Sequence, residues 1–255
     1  MEDEVHDGRE ALTLQLDHES ALIYLPTLPG LPENIITELE DMLHASEAVP
    51  EENAPPEDAC RTSGSGRRQW VVAAPDRPIG WSGPRRWQRG SWKLNSHATG
   101  PVMAIRDAIE AAAASVETAA SSAALPRLRE VYNTVLINRY PTGADTIKWH
   151  SDDEKWYYVG EQRDNSDIVI ASVSLGAERW FEFRSNPQRV PKESRRTVRI
   201  RLRSGSVLLM AGATQRQWQH ALPKDEACID VRYNLTFRRV LTVREDPRLS
   251  NVPCC

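Results

Sequence analysis

Three side chains in this sequence have the types and spacing that could hold a metal ion. His150 and Asp152 stand two apart in Trp149-His150-Ser151-Asp152, and His220 follows far downstream in Trp218-Gln219-His220. On an extended chain residues i and i+2 project to the same side, so His150 and Asp152 can face one ion together. Two imidazoles and one carboxylate leave coordination positions open, as in non-haem Fe(II) sites that use O2. The pattern alone is weak. The chain has six histidines, so chance combinations are easy, and structural histidines explain the same residues. A zinc hydrolase could also use two histidines and an aspartate.

Two further segments bear on the choice. In Arg232-Tyr233-Asn234-Leu235-Thr236-Phe237-Arg238, alternation puts two guanidiniums, an amide and a hydroxyl on one strand face, and Tyr233, Leu235 and Phe237 on the other. The polar face could simply be exposed to solvent. Near a metal it would suit a dicarboxylate, because a guanidinium meets a carboxylate with a two-pronged fork. Asn138 and Tyr140, sharing a face in Val135-Leu136-Ile137-Asn138-Arg139-Tyr140, each offer an acid a hydrogen-bond donor. A zinc hydrolase gives Arg232 and Arg238 no role.

At these residues the sequence resembles a known family. Asn138-Arg139-Tyr140, Gly143-Ala144-Asp145 and Trp149-His150-Ser151-Asp152-Asp153-Glu154 are similar to the central motif of the AlkB-type dioxygenases. Ile170–Ala177, Leu209–Gln215 with Trp218-Gln219-His220, and Arg232–Arg238 follow in the family's order, so the resemblance covers residues 131–240. It implies that His150, Asp152 and His220 bind Fe(II) and form the catalytic centre, and that Asn138, Tyr140, Arg232, Asn234 and Arg238 contact the cosubstrate 2-oxoglutarate. Arg238 is expected at the distal carboxylate and Arg232 closer to the metal.

The family fold is a double-stranded β-helix, and its chemistry uses O2 as second cosubstrate. 2-Oxoglutarate is converted to succinate and CO2, an N-methyl group is hydroxylated, and formaldehyde leaves. The relatives in view are eukaryotic AlkB homologues that repair 1-methyladenine and 3-methylcytosine in DNA and RNA. By the same resemblance Glu154 contacts the exocyclic amine of a flipped base. Asp153 either helps it or merely supports the metal loop. Trp81, Trp87 and Trp92 are candidates for the lid over that base, although segment 84–97 matches the family poorly. A base in a duplex must leave the stack before its methyl group is reached. No clear duplex-probing hairpin is visible, so a single strand is the expected substrate.

Local sequence patterns place strands and helices around these residues. Residues 12–16 and 21–25 are strands, and 32–44 is a helix with apolar residues at 35, 36, 39, 42 and 43. Residues 45–67 form a loop rich in Pro, Glu, Ser and Gly. In residues 68–97, tryptophans alternate with arginines, as either a base-stacking surface or core strands. Residues 101–124, with Pro first and then many alanines, form the strongest helix. Strands follow at 131–140, 168–175, 179–184, 197–203, 207–211 and 231–240. The expected class is α+β, a double-stranded β-helix or jelly roll backed by N-terminal helices. The expected division is an acidic disordered tail over 1–10, an N-terminal extension over 11–100, a catalytic core over 101–245 and a C-terminal tail over 246–255.

The formal net charge of −4 conceals an asymmetry. Residues 1–60 hold 16 Asp and Glu against one Arg, while residues 61–255 hold 20 against 31 Lys and Arg. The basic body suits DNA or RNA better than a protein or lipid substrate. The segment from Arg184 to Arg203, with Arg195 and Arg196 within it, is the candidate backbone-binding surface, unless it is only a solvated outer strand. A non-catalytic nucleic-acid-binding protein would predict a damaged His/Asp set or arginine pair, and both are intact. No apolar run approaches the roughly 20 residues of a membrane span, so no membrane partner is expected. The acidic start carries no secretory signal. Cys60, Cys228, Cys254 and Cys255 form no CxxC pair, consistent with a reducing compartment, nucleus or cytoplasm. A monomer is expected.

Overall fold

The computed structural model describes residues 4–47, 67–73, 92–93, 100–119, 128, 130–152 and 169–239. Asp153, Glu154, Trp81 and Trp87 lie outside the described residues, as do most of the 45–67 segment, the side chain of Trp92 and the C-terminal tail.

Thirteen strands among the described residues build two sheets. They are β1 (Glu4–His6), β2 (Leu12–Gln15), β3 (Ser20–Leu25), β4 (Arg68–Ala73), β5 (Trp92–Lys93), β6 (Thr134–Tyr140), β7 (Ile147–His150), β8 (Ile170–Gly176), β9 (Arg179–Ser185), β10 (Thr197–Leu202), β11 (Ser206–Gly212), β12 (Trp218–Leu222) and β13 (Arg232–Arg238). The larger sheet runs β2-β3-β11-β8-β13-β6-β4-β5 and the smaller β1-β10-β9-β12-β7. The α-helices among the described residues are α1 (Ile35–Glu47), α2 (Gly100–Ala119) and the single turn α3 (Thr214–Gln217). No described helix is long and apolar enough to cross a membrane.

Two cores hold this arrangement. Strand β9 alternates Phe181 and Phe183 inward with Trp180, Glu182 and Arg184 outward, and β10 does the same with Val198, Ile200 and Leu202. Their inner faces meet Leu22, Tyr24, Leu208 and Met210 of the larger sheet. The opposite face of the larger sheet, with Tyr233, Leu235 and Phe237, packs on the helices. In α2 the buried positions Val102, Ile105, Ile109, Ala112 and Ala113 recur at helical spacing, and α1 adds Ile35, Leu39 and Met42. Each large apolar side chain so buried contributes about 1.5–3 kcal/mol.

Several expectations change. Residues 4–10 are not simply a tail: β1 pairs in parallel with β10, and Tyr24 donates its hydroxyl to the Gly8 carbonyl at 3.2 Å. The acidic composition concealed a strand whose Glu4 meets Arg196. The line drawn at residue 100 does not divide the sheet. β3 pairs with β11 and β4 pairs with β6, because the central strands need neighbours that the later sequence does not supply. The short strands β7 and β12, and the turn α3, carry no strong periodicity and were not expected as separate elements.

Candidate metal centre

His150 ends β7 and His220 sits in β12, and the two residues are direct partners across this antiparallel pair. Their ring centroids lie 4.3 Å apart. Asp152 follows β7 by two residues, and its carboxylate turns back toward both rings. The ligand atoms of His150, Asp152 and His220 all lie within 4.8 Å of one another, a separation that one cation can bridge.

Each of the three is held by a specific contact. His150 Nδ1–H donates to the Lys148 carbonyl at 2.8 Å, which leaves the Nε2 lone pair for a metal. The Asp152 backbone N–H donates to Gln215 Oε1 of α3 at 2.9 Å, and Ser151 Oγ donates to the Trp218 carbonyl at 2.8 Å. These bonds lock the loop after β7 onto the segment that carries His220. Phe181 and Phe183 pack against the His220 ring at 5.4 and 5.9 Å.

The electrostatics suit a cation. Burial opposes the charge on Asp152, but the Arg238 guanidinium at 2.7 Å outweighs it, and the carboxyl is held well below its usual range. Burial, with His150 beside it, lowers His220 to about 3, so the imidazole is neutral and available as a ligand near pH 7. Asp152 and His220 are buried while the His150 side chain is one-third exposed, so the open side of the cluster lies at His150.

Beside this cluster runs a buried polar ladder. Arg232, Asn234, Thr236 and Arg238 point between the two sheets and are all buried, so the alternative of a solvent-facing polar strand is excluded. Asn234 lies opposite Asn138 on one side and Ser174 on the other, and Arg232 lies opposite Tyr140. Asn234 Nδ2 donates to Ser172 Oγ at 2.7 Å, and Gln69 Nε2 donates to Asn138 Oδ1 at 2.6 Å. Ser172, Ser174, Gln69 and Gln215 escaped notice as site residues because single polar residues within strands and turns carry no pattern of their own.

The two arginines occupy the reverse of their expected order. Arg238 bonds Asp152 and therefore adjoins the metal cluster. Arg232 lies six residues away along β13, over the Tyr140 ring at 5.3 Å and donating to Ser174 Oγ at 2.9 Å. The reason is the register of β13: Arg238 stands opposite Thr134 and Arg232 opposite Tyr140. Burial, with Arg179 nearby, lowers the Arg232 guanidinium to about 10, and its buried Nε has no hydrogen-bond partner. A buried cation with an unused donor is suited to an anionic ligand, so this end of the ladder fits the distal carboxylate of a dicarboxylate.

Residues 41–238 match the model of the 2OG-Fe(II) oxygenase superfamily. The chain belongs to that superfamily. Its cofactor set, Fe(II) with 2-oxoglutarate and O2, agrees with the donor cluster and the cationic ladder. The chain is also similar to alkB homolog 3, an alpha-ketoglutarate-dependent dioxygenase of Rattus norvegicus, with 43% identity over 122 residues. That match covers 46% of this chain and 37% of the relative. The DNA oxidative demethylase ALKBH2 of Homo sapiens is 42% identical over 118 residues, covering 46% of this chain and 42% of that protein. The aligned part thus spans about two-fifths of these relatives' own length. The solved structure of OsALKBH1 shares the fold, with a TM-score of 0.50 at 17% identity over 89% of this chain and 100% of that one.

The candidate nucleic-acid surface fares differently from the superfamily's metal site. Arg195 donates to the carbonyls of Val190 at 3.1 Å and Pro187 at 2.8 Å. Arg196 pairs with Glu4 at 2.8 Å and donates to the Leu16 carbonyl. Both side chains are thus engaged within the fold, which argues against their serving mainly as phosphate contacts. Arg199 and Arg201 line one face of β10 and Arg203 follows just past its end, but Glu182 and Glu178 pair with them, and Arg199 and Arg201 also cover the Trp180 ring.

Proposed function

We propose that this protein is an Fe(II)- and 2-oxoglutarate-dependent oxidative demethylase that removes methyl groups from 1-methyladenine and 3-methylcytosine in single-stranded DNA or RNA. The observation that carries the reading is the cluster of His150 with the buried Asp152 and His220, with Arg238 bonded to its carboxylate, at one end of a polar ladder that ends in Arg232. When bound, Fe(II) with 2-oxoglutarate and O2 supplies the oxidant that hydroxylates the N-methyl group, after which formaldehyde leaves. The chain's own part is to orient and exclude water. His150 presents Nε2 because Lys148 holds Nδ1–H, burial keeps His220 neutral, and Arg238 keeps Asp152 ionised. Arg232, Tyr140, Asn138 and Asn234 receive the carboxylates. The similarity to alkB homolog 3 and to ALKBH2, named a DNA oxidative demethylase, supports the nucleic-acid substrate.

The test is to incubate the protein with Fe(II), 2-oxoglutarate and single-stranded DNA or RNA oligonucleotides carrying 1-methyladenine or 3-methylcytosine. Mass loss of one methyl group, absent in His150→Ala, is expected. Iron-dependent succinate formation without demethylation would keep the oxygenase and redirect the substrate to another class, such as protein or lipid. Absence of both signals from folded, iron-loaded protein would overturn the reading.

A further inference from the structure

Arg179 opens β9 and is completely buried. Its guanidinium donates to four main-chain carbonyls: Nη1 to Thr142 at 3.2 Å, and Nη2 to Gly143 at 3.2 Å, Asp145 at 3.1 Å and Pro223 at 2.6 Å. The first three carbonyls belong to the turn that leads into β7, and Pro223 directly follows β12. One side chain therefore joins the two strands that carry His150 and His220.

That pair of strands has a weak point. His220 stands opposite His150 and Leu222 opposite Ile147, so two steps along β12 match three along β7, and the register shifts between them. Such a bulge re-aims side chains, and a slip of one residue would carry His150 to the other face of the sheet. The carbonyls bound by Arg179 lie beyond the bulge on both strands. Gly143 anchors the same turn a second time: its N–H donates to the Cys228 carbonyl at 2.8 Å, and its carbonyl accepts from Asp225 N–H at 3.0 Å. A Cβ at Gly143 would stand 1.8 Å from the Asp225 carbonyl oxygen. Those bonds hold the turn to the 225–228 loop, and Arg179 adds the tie to the end of β12.

We propose that Arg179 is a positioning residue for the metal centre: by bonding both strands of the β7–β12 pair at the end beyond the bulge it fixes the register that presents His150 and His220 to one cation. The assignment rests on the metal-binding reading of His150, Asp152 and His220. The residue type matters. A guanidinium reaches two strands with a rigid fork of five donors, whereas a lysine ammonium offers three donors on one atom.

Co(II) titration of the full chain without oxygen tests this, with wild type, Arg179→Met, Arg179→Lys and His150→Ala. Metal affinity and the visible Co(II) spectrum, which reports coordination geometry, are the readouts. In Arg179→Met we expect affinity to fall about 10–100-fold, as for other residues that orient metal ligands, with a changed spectrum and retained cooperative unfolding. Arg179→Lys should fall between. Wild-type affinity and spectrum in Arg179→Met would overturn the proposal. Loss of the fold in both variants would also overturn it, since Arg179 would then determine the fold rather than the site. If wild type and His150→Ala bound Co(II) alike, the metal reading itself would fail and take this proposal with it.

Discussion

Arg238 donates through Nη2 to Oδ2 of Asp152 at 2.7 Å, with both side chains almost wholly out of solvent. A cation from β13 thus neutralises the one anionic ligand of the cluster. Removing either partner leaves the other charge buried without its counter-ion, which costs about 3–5 kcal/mol. Arg238→Met and Asp152→Ala should each lower metal-free stability by that amount, and the double variant by less than the sum. Urea unfolding of the four proteins checks this; strict additivity would mean that the contact is not energetically coupled.

Asp152→Ala should also abolish measurable Fe(II) binding. Arg238→Met should keep some, because all three ligands remain. Saturating Mn(II) should recover part of the stability lost in Arg238→Met and none of that lost in Asp152→Ala. Thermal unfolding with and without Mn(II) makes the comparison.

His220 has a folded-state value near 3 against an ordinary value of 6.5, with burial as the main cause. Between these values the unfolded chain binds the extra proton, so stability rises with pH across the window and falls as the medium is acidified through it. The metal-free protein should therefore lose stability below about pH 6.5, at up to about 1.4 kcal/mol per pH unit from this residue. His220→Gln should flatten the profile in chemical denaturation between pH 4 and 7. An unchanged slope would show that His220 is readily protonated in the folded state.

Arg195 and Arg196 are engaged by Val190, Pro187, Leu16 and Glu4. Replacing both with alanine should leave the salt dependence of oligonucleotide binding almost unchanged. It should cost stability instead, with the half-exposed Arg196–Glu4 pair contributing no more than about 1 kcal/mol. Binding isotherms over a range of salt, beside a melting curve, separate the two effects. A clearly reduced salt slope would return these residues to the nucleic-acid surface.

Arg232, with its buried and unpartnered Nε, should govern cosubstrate rather than metal. Arg232→Met is expected to raise the 2-oxoglutarate requirement at least tenfold, or about 1.4 kcal/mol, while Mn(II) affinity changes little. Titration of each ligand separately would show it, and equal losses for both would contradict the assignment.

Which side chains share a face is legible in the sequence alone. A strand's period of two requires Arg232, Asn234, Thr236 and Arg238 to lie together, and His150 and Asp152 to be neighbours on an extended segment. Residue types then allowed a cation held by imidazoles and a carboxylate beside a site for an acid, and the resemblance over residues 131–240 selected that reading over structural histidines. The leading proline and the many alanines located the long helix, expected over 101–124 and observed at Gly100–Ala119, and alternation located strands such as Arg179–Ser185 and Thr197–Leu202. What period alone leaves open is which face turns inward, because either face of β13 can be covered; only the second sheet made its polar face interior. Register decided the order of Arg238 and Arg232 along the site, since a long side chain reaches whatever the neighbouring strand places opposite it. The same long-range contacts gave Arg195 and Arg196 partners distant in sequence and made Arg179 a cross-strand tie. A buried guanidinium finds its carbonyls only after the chain has closed around it.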